Sequence, residues 1–372
     1  MTTASSSLLR YSKIVSPLPS TVPFVGPETQ ERMRGAAFKA RIGANENVFG
    51  PSPLAIAAMQ KAASECWMYG DPENHELKVA LAKQLGVHAN NIVIGEGIDS
   101  LFGYTVRQFI EPGDSVVTSL GAYPTFNFHV TGFAGRIVTV PYVNDKEDPQ
   151  SLLDAAKTCA PKLIYFANPD NPMGSWWSAN ETQRLIDAIP QGTVLVLDEA
   201  YSEFAPPHTL PAIDVSNPQV IRFRTFSKAW GMAGARIAYA IAEESVAKSF
   251  DKIRNHFSVN RIAQAGALAS LTDTEHLKNT VARIRVSLEK IAQIARNNQL
   301  KPLPTATNFI TIDCMRDGVF AKRVLDGLIA RGVFVRMPGV APLNRAIRIS
   351  AGSDADIAVF EAMLPLALSD AN

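Results

Sequence analysis

The chain of 372 residues carries 36 basic and 35 acidic side chains, a net charge of +1, with 47% hydrophobic and 19% charged residues. That length suits about two domains; the composition excludes whole-chain disorder, and the balanced charge excludes a strong field for nucleic acid or an anionic membrane. The three cysteines, Cys66, Cys159 and Cys314, are too few and scattered for a disulfide framework or a metal site, and no apolar run approaches membrane-spanning length, so a cytoplasmic protein is expected.

The first 27 residues hold no acid and include Ser5, Ser6, Ser7, Arg10 and Lys13. This composition is shared with transit peptides, but the segment reads as a flexible N-terminal arm. A helix-like stretch covers 53–65, and 75–85 places Leu77, Ala80, Leu81 and Leu85 on one helical face. Strands are expected at 91–94, 115–119, 136–140, 163–166, 193–197, 220–224 and 236–240. They are rich in Val and Ile and mostly apolar on both faces, as in parallel sheets covered by helices. Helices are expected at 99–110, ended by Pro112-Gly113, and at 180–189, stopped by Pro190. This alternation predicts an α/β open sheet.

After Val259 the pattern changes. Leu277, Val281, Ile284, Leu288 and Ile291 recur at helical spacing. Strands follow at 308–313, 333–336 and 346–350, with helices at 320–330 and at 354–364, the last stopped by Pro365. The expected fold is α/β: a large domain (49–260) with a mostly parallel seven-stranded sheet, and a smaller α+β domain (261–372) begun by a long linking helix. The arm (1–48) joins the small domain.

Chemistry concentrates where strands end. Ile94-Gly95-Glu96-Gly97-Ile98-Asp99 joins a strand to a helix, and amides at a helix N-terminus suit a phosphate. A dinucleotide motif is discounted, because the third glycine is missing and Glu96 sits where a pyrophosphate needs neutrality. In Tyr123-Pro-Thr-Phe126 an aromatic side chain is placed to stack on a flat ligand. The turn Asn168-Pro-Asp-Asn171-Pro presents the Asn171 amide just past a strand. Asp198 ends an apolar strand, where ligands of open sheets bind, and Tyr201 follows three residues on. A carboxylate there can pair with a protonated pyridine nitrogen. The densest signal is Thr225-Phe-Ser227-Lys228, followed by a Gly/Ala-rich turn and Arg236. It offers an imine-forming lysine, with two hydroxyls and a guanidinium for a phosphate dianion.

Together these residues resemble the fold-type I, class I/II aminotransferases that use pyridoxal 5′-phosphate (PLP), and most of all the histidinol-phosphate aminotransferase branch. The likeness runs from about Arg41 to Gly352. It includes Asn45-Glu-Asn47-Val-Phe-Gly50-Pro-Ser-Pro, Tyr69-Gly-Asp71-Pro, Gly97-Ile-Asp99, Asp198-Glu-Ala-Tyr201 and Ala346-Ile-Arg348-Ile. The resemblance implies that Lys228 holds the cofactor as a Schiff base and shuttles the proton. Asp198 would pair with the ring nitrogen, Asn171 and Tyr201 with the ring oxygen, and Phe126 would stack on the ring. Gly97, Ile98, Asp99, Thr225, Ser227 and Arg236 would hold the phosphate, with Tyr69 from a neighbouring subunit of a homodimer. Arg348, Arg336 and Asn47 would contact substrate.

Met173, Trp176, Trp177, His256, Ser258 and Met337 depart from the family pattern where side-chain specificity is expected to be set. The activity implied is ping-pong transfer of an amino group from histidinol phosphate or an amino acid to a 2-oxo acid such as 2-oxoglutarate. Two rivals share these residues. A decarboxylase of phosphothreonine type would release carbon dioxide and consume no oxo acid. A non-catalytic PLP-binding protein need not keep Lys228, Asp198 and Arg348 together.

Overall fold

A computed structural model describes residues 9–20 and 24–372; the Ser5 to Ser7 run lies outside the described residues. In chain order the strands are β1 (Ala40–Arg41), β2 (Ile92–Gly95), β3 (Ser115–Ser119), β4 (Arg136–Val140), β5 (Leu163–Ala167), β6 (Val194–Asp198), β7 (Val220–Thr225), β8 (Ala238–Ile241), β9 (Lys301–Pro302), β10 (Phe309–Asp313), β11 (Val333–Phe334) and β12 (Ala346–Ser350). Seven of them form one sheet in the order β2-β8-β7-β6-β5-β3-β4. Pairing is parallel from β7 through β6, β5 and β3 to β4. β8 runs antiparallel to both its neighbours.

β3, β5 and β6 are buried along their whole length, whereas the edge strand β4 is half exposed. That is why the central strands read as unbroken apolar runs. One face packs Phe102, Phe126, Tyr165 and Phe223; the other packs Ile164, Phe166, Leu195 and Leu197. Each such side chain contributes about 1.5–3 kcal/mol by leaving water.

The single antiparallel strand matters for the site. Ala238, at the start of β8, lies in register with Thr225 at the end of β7 and with Gly95 at the end of β2. Arg236, which precedes β8, therefore arrives at the same crest as the carboxyl ends of the parallel strands. The strand expected at 236–240 begins two residues later, because Arg236 takes a left-handed turn (φ 56°).

Two helices not flagged by apolar spacing, Pro124–Gly132 and Pro149–Cys159, are set by their starts. Each has proline in its first turn, and Asp148 caps the second by accepting from the Ser151 amide. Beyond the large sheet, β12-β10-β9 form an antiparallel sheet, and β1 pairs in parallel with β11, tying the arm to the C-terminal part. The long helical stretch is two helices, Arg261–Thr272 and Thr274–Asn297, with Asp273 capping the second at the break. The last helix, Asp354–Ala371, is not stopped by Pro365. Ala367 and Ala371 beyond it are buried, and Ala367 lies so close to Gly327 that a Cβ there would fall 3.1 Å away. Close helix packing outweighs the hydrogen bond that the proline forfeits.

Candidate active site

A cavity of about 460 Å³ opens on the crest of the large sheet, and Ile98, Asp198, Tyr201, Thr225, Ser227 and Lys228 are among the residues that line it. Lys228 follows β7 in a loop tied at two points: Ser227 N donates to Thr225 Oγ1 (3.0 Å), and Gly231 N donates to Lys228 O (3.1 Å). Its Nζ donates to the Asn45 carbonyl (3.3 Å) and sits 5.8 Å from the centre of the Tyr201 ring. Burial, helped by the cation of Arg348, lowers the Lys228 pKa to about 8. About a tenth of the amine is thus neutral at pH 7, far more than for an ordinary lysine, as an amine nucleophile requires.

Asp198 ends β6, on the same face as Val196. Tyr165 faces Val196 across the ladder, so its hydroxyl reaches one step along and donates to Asp198 Oδ2 (2.7 Å); the Ala200 amide donates to Oδ1 (3.0 Å). Burial raises the Asp198 pKa to about 6, although both hydrogen bonds oppose the rise. Its neighbour Glu199 turns the other way, into ion pairs with Arg222 and Arg224 (3.2 and 2.8 Å).

A third wall is built for an anion. Gly97 precedes the helix Ile98–Phe109, whose first amides have no side-chain cap. A Cβ on Gly97, which has φ 96°, would lie 2.3 Å from Arg236 Nη2, so only glycine leaves this cradle open. Arg236 also approaches Ser227 Oγ (3.4 Å) and Asp99 (3.9 Å). Helix amides, the Thr225 and Ser227 hydroxyls and a guanidinium match a phosphate dianion. On the fourth side Arg348 donates to Asn171 Oδ1, while its buried Nε has no hydrogen-bond partner among the described residues. Tyr201 OH accepts from Asn45 Nδ2 (2.9 Å), which leaves its own proton free to donate.

Several expected contacts fall elsewhere. Phe126 does not face the cavity: it is fully buried and stacks on Tyr165 (4.8 Å), behind Asp198. Tyr123 lines the cavity instead, with its hydroxyl on Asp99 (3.0 Å). Pro124 starts a helix, so Tyr123 stays in the loop while Phe126 rotates into the core; the proline was the available signal. Asn47 is buried with both polar atoms spent on backbone, at Ala229 O and Phe49 N (3.0 Å each), so it braces the lysine loop. Arg336 is likewise engaged, donating to Val25 O (3.0 Å) and covering the Phe24 ring (4.5 Å). Tyr69 lies outside the cavity, 75% exposed and stacked on Phe257.

Of the departures from the family pattern, Met173 is buried against Leu303 and Leu343, and Ser258 donates to Glu96 (2.8 Å). Glu96 is thereby drawn away from the cradle. Phe24, Glu46 and Tyr165 were not singled out in the sequence, since nothing in their local pattern marks a cavity wall or the partner of a carboxylate.

A cool lysine amine and an elevated carboxyl facing each other over a dianion cradle suit a flat, phosphorylated pyridinium, and the residues present fit PLP. The fold is that of fold-type I PLP-dependent aminotransferases. The family model for aminotransferase class I and II matches residues 39–362, and the chain belongs to that family. It is 32% identical to histidinol-phosphate aminotransferase 1 of Mesorhizobium japonicum over 97% of this chain and 98% of that protein. It is 50% identical to the histidinol-phosphate aminotransferase of Sinorhizobium meliloti, whose crystal structure is a complex with PLP; the match covers 98% and 99% of the two chains with a TM-score of 0.96. A Thermus thermophilus aspartate aminotransferase double mutant, 21% identical over 98% of this chain and 99% of that one, shares the fold with a TM-score of 0.78.

Proposed function

We propose that this PLP-dependent aminotransferase takes histidinol phosphate as amino donor and a 2-oxo acid such as 2-oxoglutarate as acceptor. The observation that carries the reading is the one cavity lined by Lys228, Asp198 and Arg236, with Gly97 beside Arg236 and Arg348 hydrogen-bonded to Asn171 on its wall. Likeness to histidinol-phosphate aminotransferases supports the donor. When bound, PLP supplies an electrophilic carbon for the amine and a ring that withdraws electrons from the substrate α-carbon. Lys228 Nζ would hold the cofactor and, as a neutral amine, would take and return the proton of the substrate α-carbon. The Asp198 carboxylate keeps the ring nitrogen protonated. Asn171 and Tyr201 orient the ring oxygen, and Tyr123 takes the stacking role. Ile98, Asp99, Thr225, Ser227 and Arg236 secure the phosphate. Arg348, with its unpaired Nε, receives the anionic end of the substrate.

The active unit is a homodimer in which Tyr69 reaches the partner's phosphate cradle. The chain divides at about residues 48 and 260 into arm, large domain and small domain. Among the described residues no helix is long and apolar enough to cross a membrane. All three cysteines are unpaired thiols, which supports a reducing cytoplasm as the setting. The test is a pair of half-reactions followed by cofactor absorbance. Histidinol phosphate should convert the PLP-loaded enzyme to the amine form, and 2-oxoglutarate should restore it. No spectral change with histidinol phosphate would overturn the donor.

A further inference from the structure

Three carboxylates line the cavity: Asp99, Asp198 and Glu46. Asp99 is engaged by Arg236 and Tyr123, and Asp198 by Tyr165 and the Ala200 amide. The Glu46 carboxylate accepts no hydrogen bond and joins no ion pair among the described residues; only its backbone carbonyl is used. That backbone is firmly held. Asn308 Nδ2 donates to the carbonyls of Asn45 (2.9 Å) and Glu46 (3.3 Å), and Asn47 Nδ2 donates to Ala229 O (3.0 Å). An acid on a pinned loop loses less freedom on meeting a ligand than one on a mobile loop. Phe24 lines the same cavity and gives it an aromatic wall. A cavity with Arg348 hydrogen-bonded to Asn171 on its wall, an exposed carboxylate without a protein partner and an aromatic wall is complementary to a donor with an anionic end and a flat ring bearing N–H.

We propose that Glu46 is a specificity-determining residue whose carboxylate accepts a hydrogen bond from the ring N–H of an imidazole-type amino donor. The inference rests on the transaminase reading, and names the side-chain class that the site selects. Glu46 also lies close enough to Lys228 to act on its charge, so a loss of rate alone would not separate the two roles.

The experiment therefore reads a ratio. Single-turnover conversion of the PLP-loaded enzyme is measured with histidinol phosphate, histidine and phenylalanine, for wild type, Glu46→Gln and Glu46→Ala. Wild type should prefer histidine to phenylalanine. Glu46→Ala should cut that preference by roughly tenfold or more, the worth of a charge-assisted hydrogen bond. Glu46→Gln, which keeps an acceptor oxygen, should lose less. A preference within about twofold of wild type in Glu46→Ala would overturn the inference, since an effect through Lys228 lowers both donors equally. Absence of any preference in wild type would overturn it as well. If wild type ignores histidinol phosphate while the histidine preference falls in Glu46→Ala, the donor reading fails and the role of Glu46 stands.

Discussion

At Asp198 the arrangement that serves a bound cation works against the cofactor-free fold. Burial raises its carboxyl from the ordinary 3.8 to about 6, so the native state holds a proton that the unfolded chain has released. Stability therefore falls as pH rises from about 4 to about 6, and the full penalty, on the order of 3 kcal/mol, persists above that window. Asp198→Asn removes the charge and keeps an acceptor for Tyr165 or the Ala200 amide. The apoprotein of this variant should melt higher than wild type at pH 8 and show little difference near pH 4, measured by calorimetry. The same variant should lose several orders of magnitude in turnover, because the ring proton loses its counter-charge. A loss under about tenfold, roughly 1.4 kcal/mol, would place the ring partner elsewhere. Lys228→Ala should abolish the pH-sensitive absorbance of lysine-bound cofactor and nearly all turnover; a wild-type steady-state rate would refute the assignment. Lys228 and Asp198 were legible in the sequence because each sits at a strand end within a dense local motif. Glu46 and Tyr165 were not: the first acquires meaning only once a cavity closes around it, and the second only through the register of β5 on β6.

Among the elements, what the sequence conveyed depended on where the deciding contact lay. The buried strands β3, β5 and β6 announce themselves by composition, but the direction of β8 does not, because antiparallel pairing leaves no trace in a short apolar run. Pro365 gives a local stop signal, and long-range packing against Gly327 overrides it. Pro365 is exposed, so Pro365→Ala can restore the missing backbone hydrogen bond without disturbing the core. It should stabilise the protein by about 1–3 kcal/mol in denaturant titration. Gly97→Ala tests the cradle at the same scale. Its φ of 96° and the 2.3 Å approach of Arg236 Nη2 leave no room for a methyl group without moving the guanidinium. Cofactor affinity should drop by about tenfold or more in equilibrium dialysis, with far-ultraviolet dichroism unchanged. Unaltered affinity would show that Arg236 does not hold the phosphate.

For the molecule as a whole, Tyr69 decides whether one chain suffices. Trp67 and Tyr69 are 82% and 75% exposed, and Val48, Leu54, Ile56 and Phe257 are exposed as well. Exposed apolar side chains in this number are what the proposed homodimer would cover. The Tyr69 ring leans on Phe257, and its carbonyl accepts from Arg261 Nη2 (2.8 Å), so the side chain is supported while pointing away from its own cavity. If two copies meet about a two-fold axis through this surface, each Tyr69 can donate to the phosphate held by the other chain. Such a charged hydrogen bond is worth roughly 1.5–3 kcal/mol, so Tyr69→Phe should weaken cofactor retention by about ten- to a hundredfold. Complementation tests the sharing directly. Lys228→Ala subunits lack the lysine, and Tyr69→Ala subunits lack the donated phenol; the second must first prove inactive alone. In a mixed dimer one site has the wild-type Lys228 together with the wild-type Tyr69 lent by the Lys228→Ala subunit, and the other site carries both defects. Mixing followed by subunit exchange should therefore restore activity, up to about a quarter of wild type when exchange is statistical, because half the dimers are mixed and each holds one intact site. Exchange demonstrated by mass-tagged subunits, with no activity returned, would refute the shared site and confine Tyr69 to its own chain.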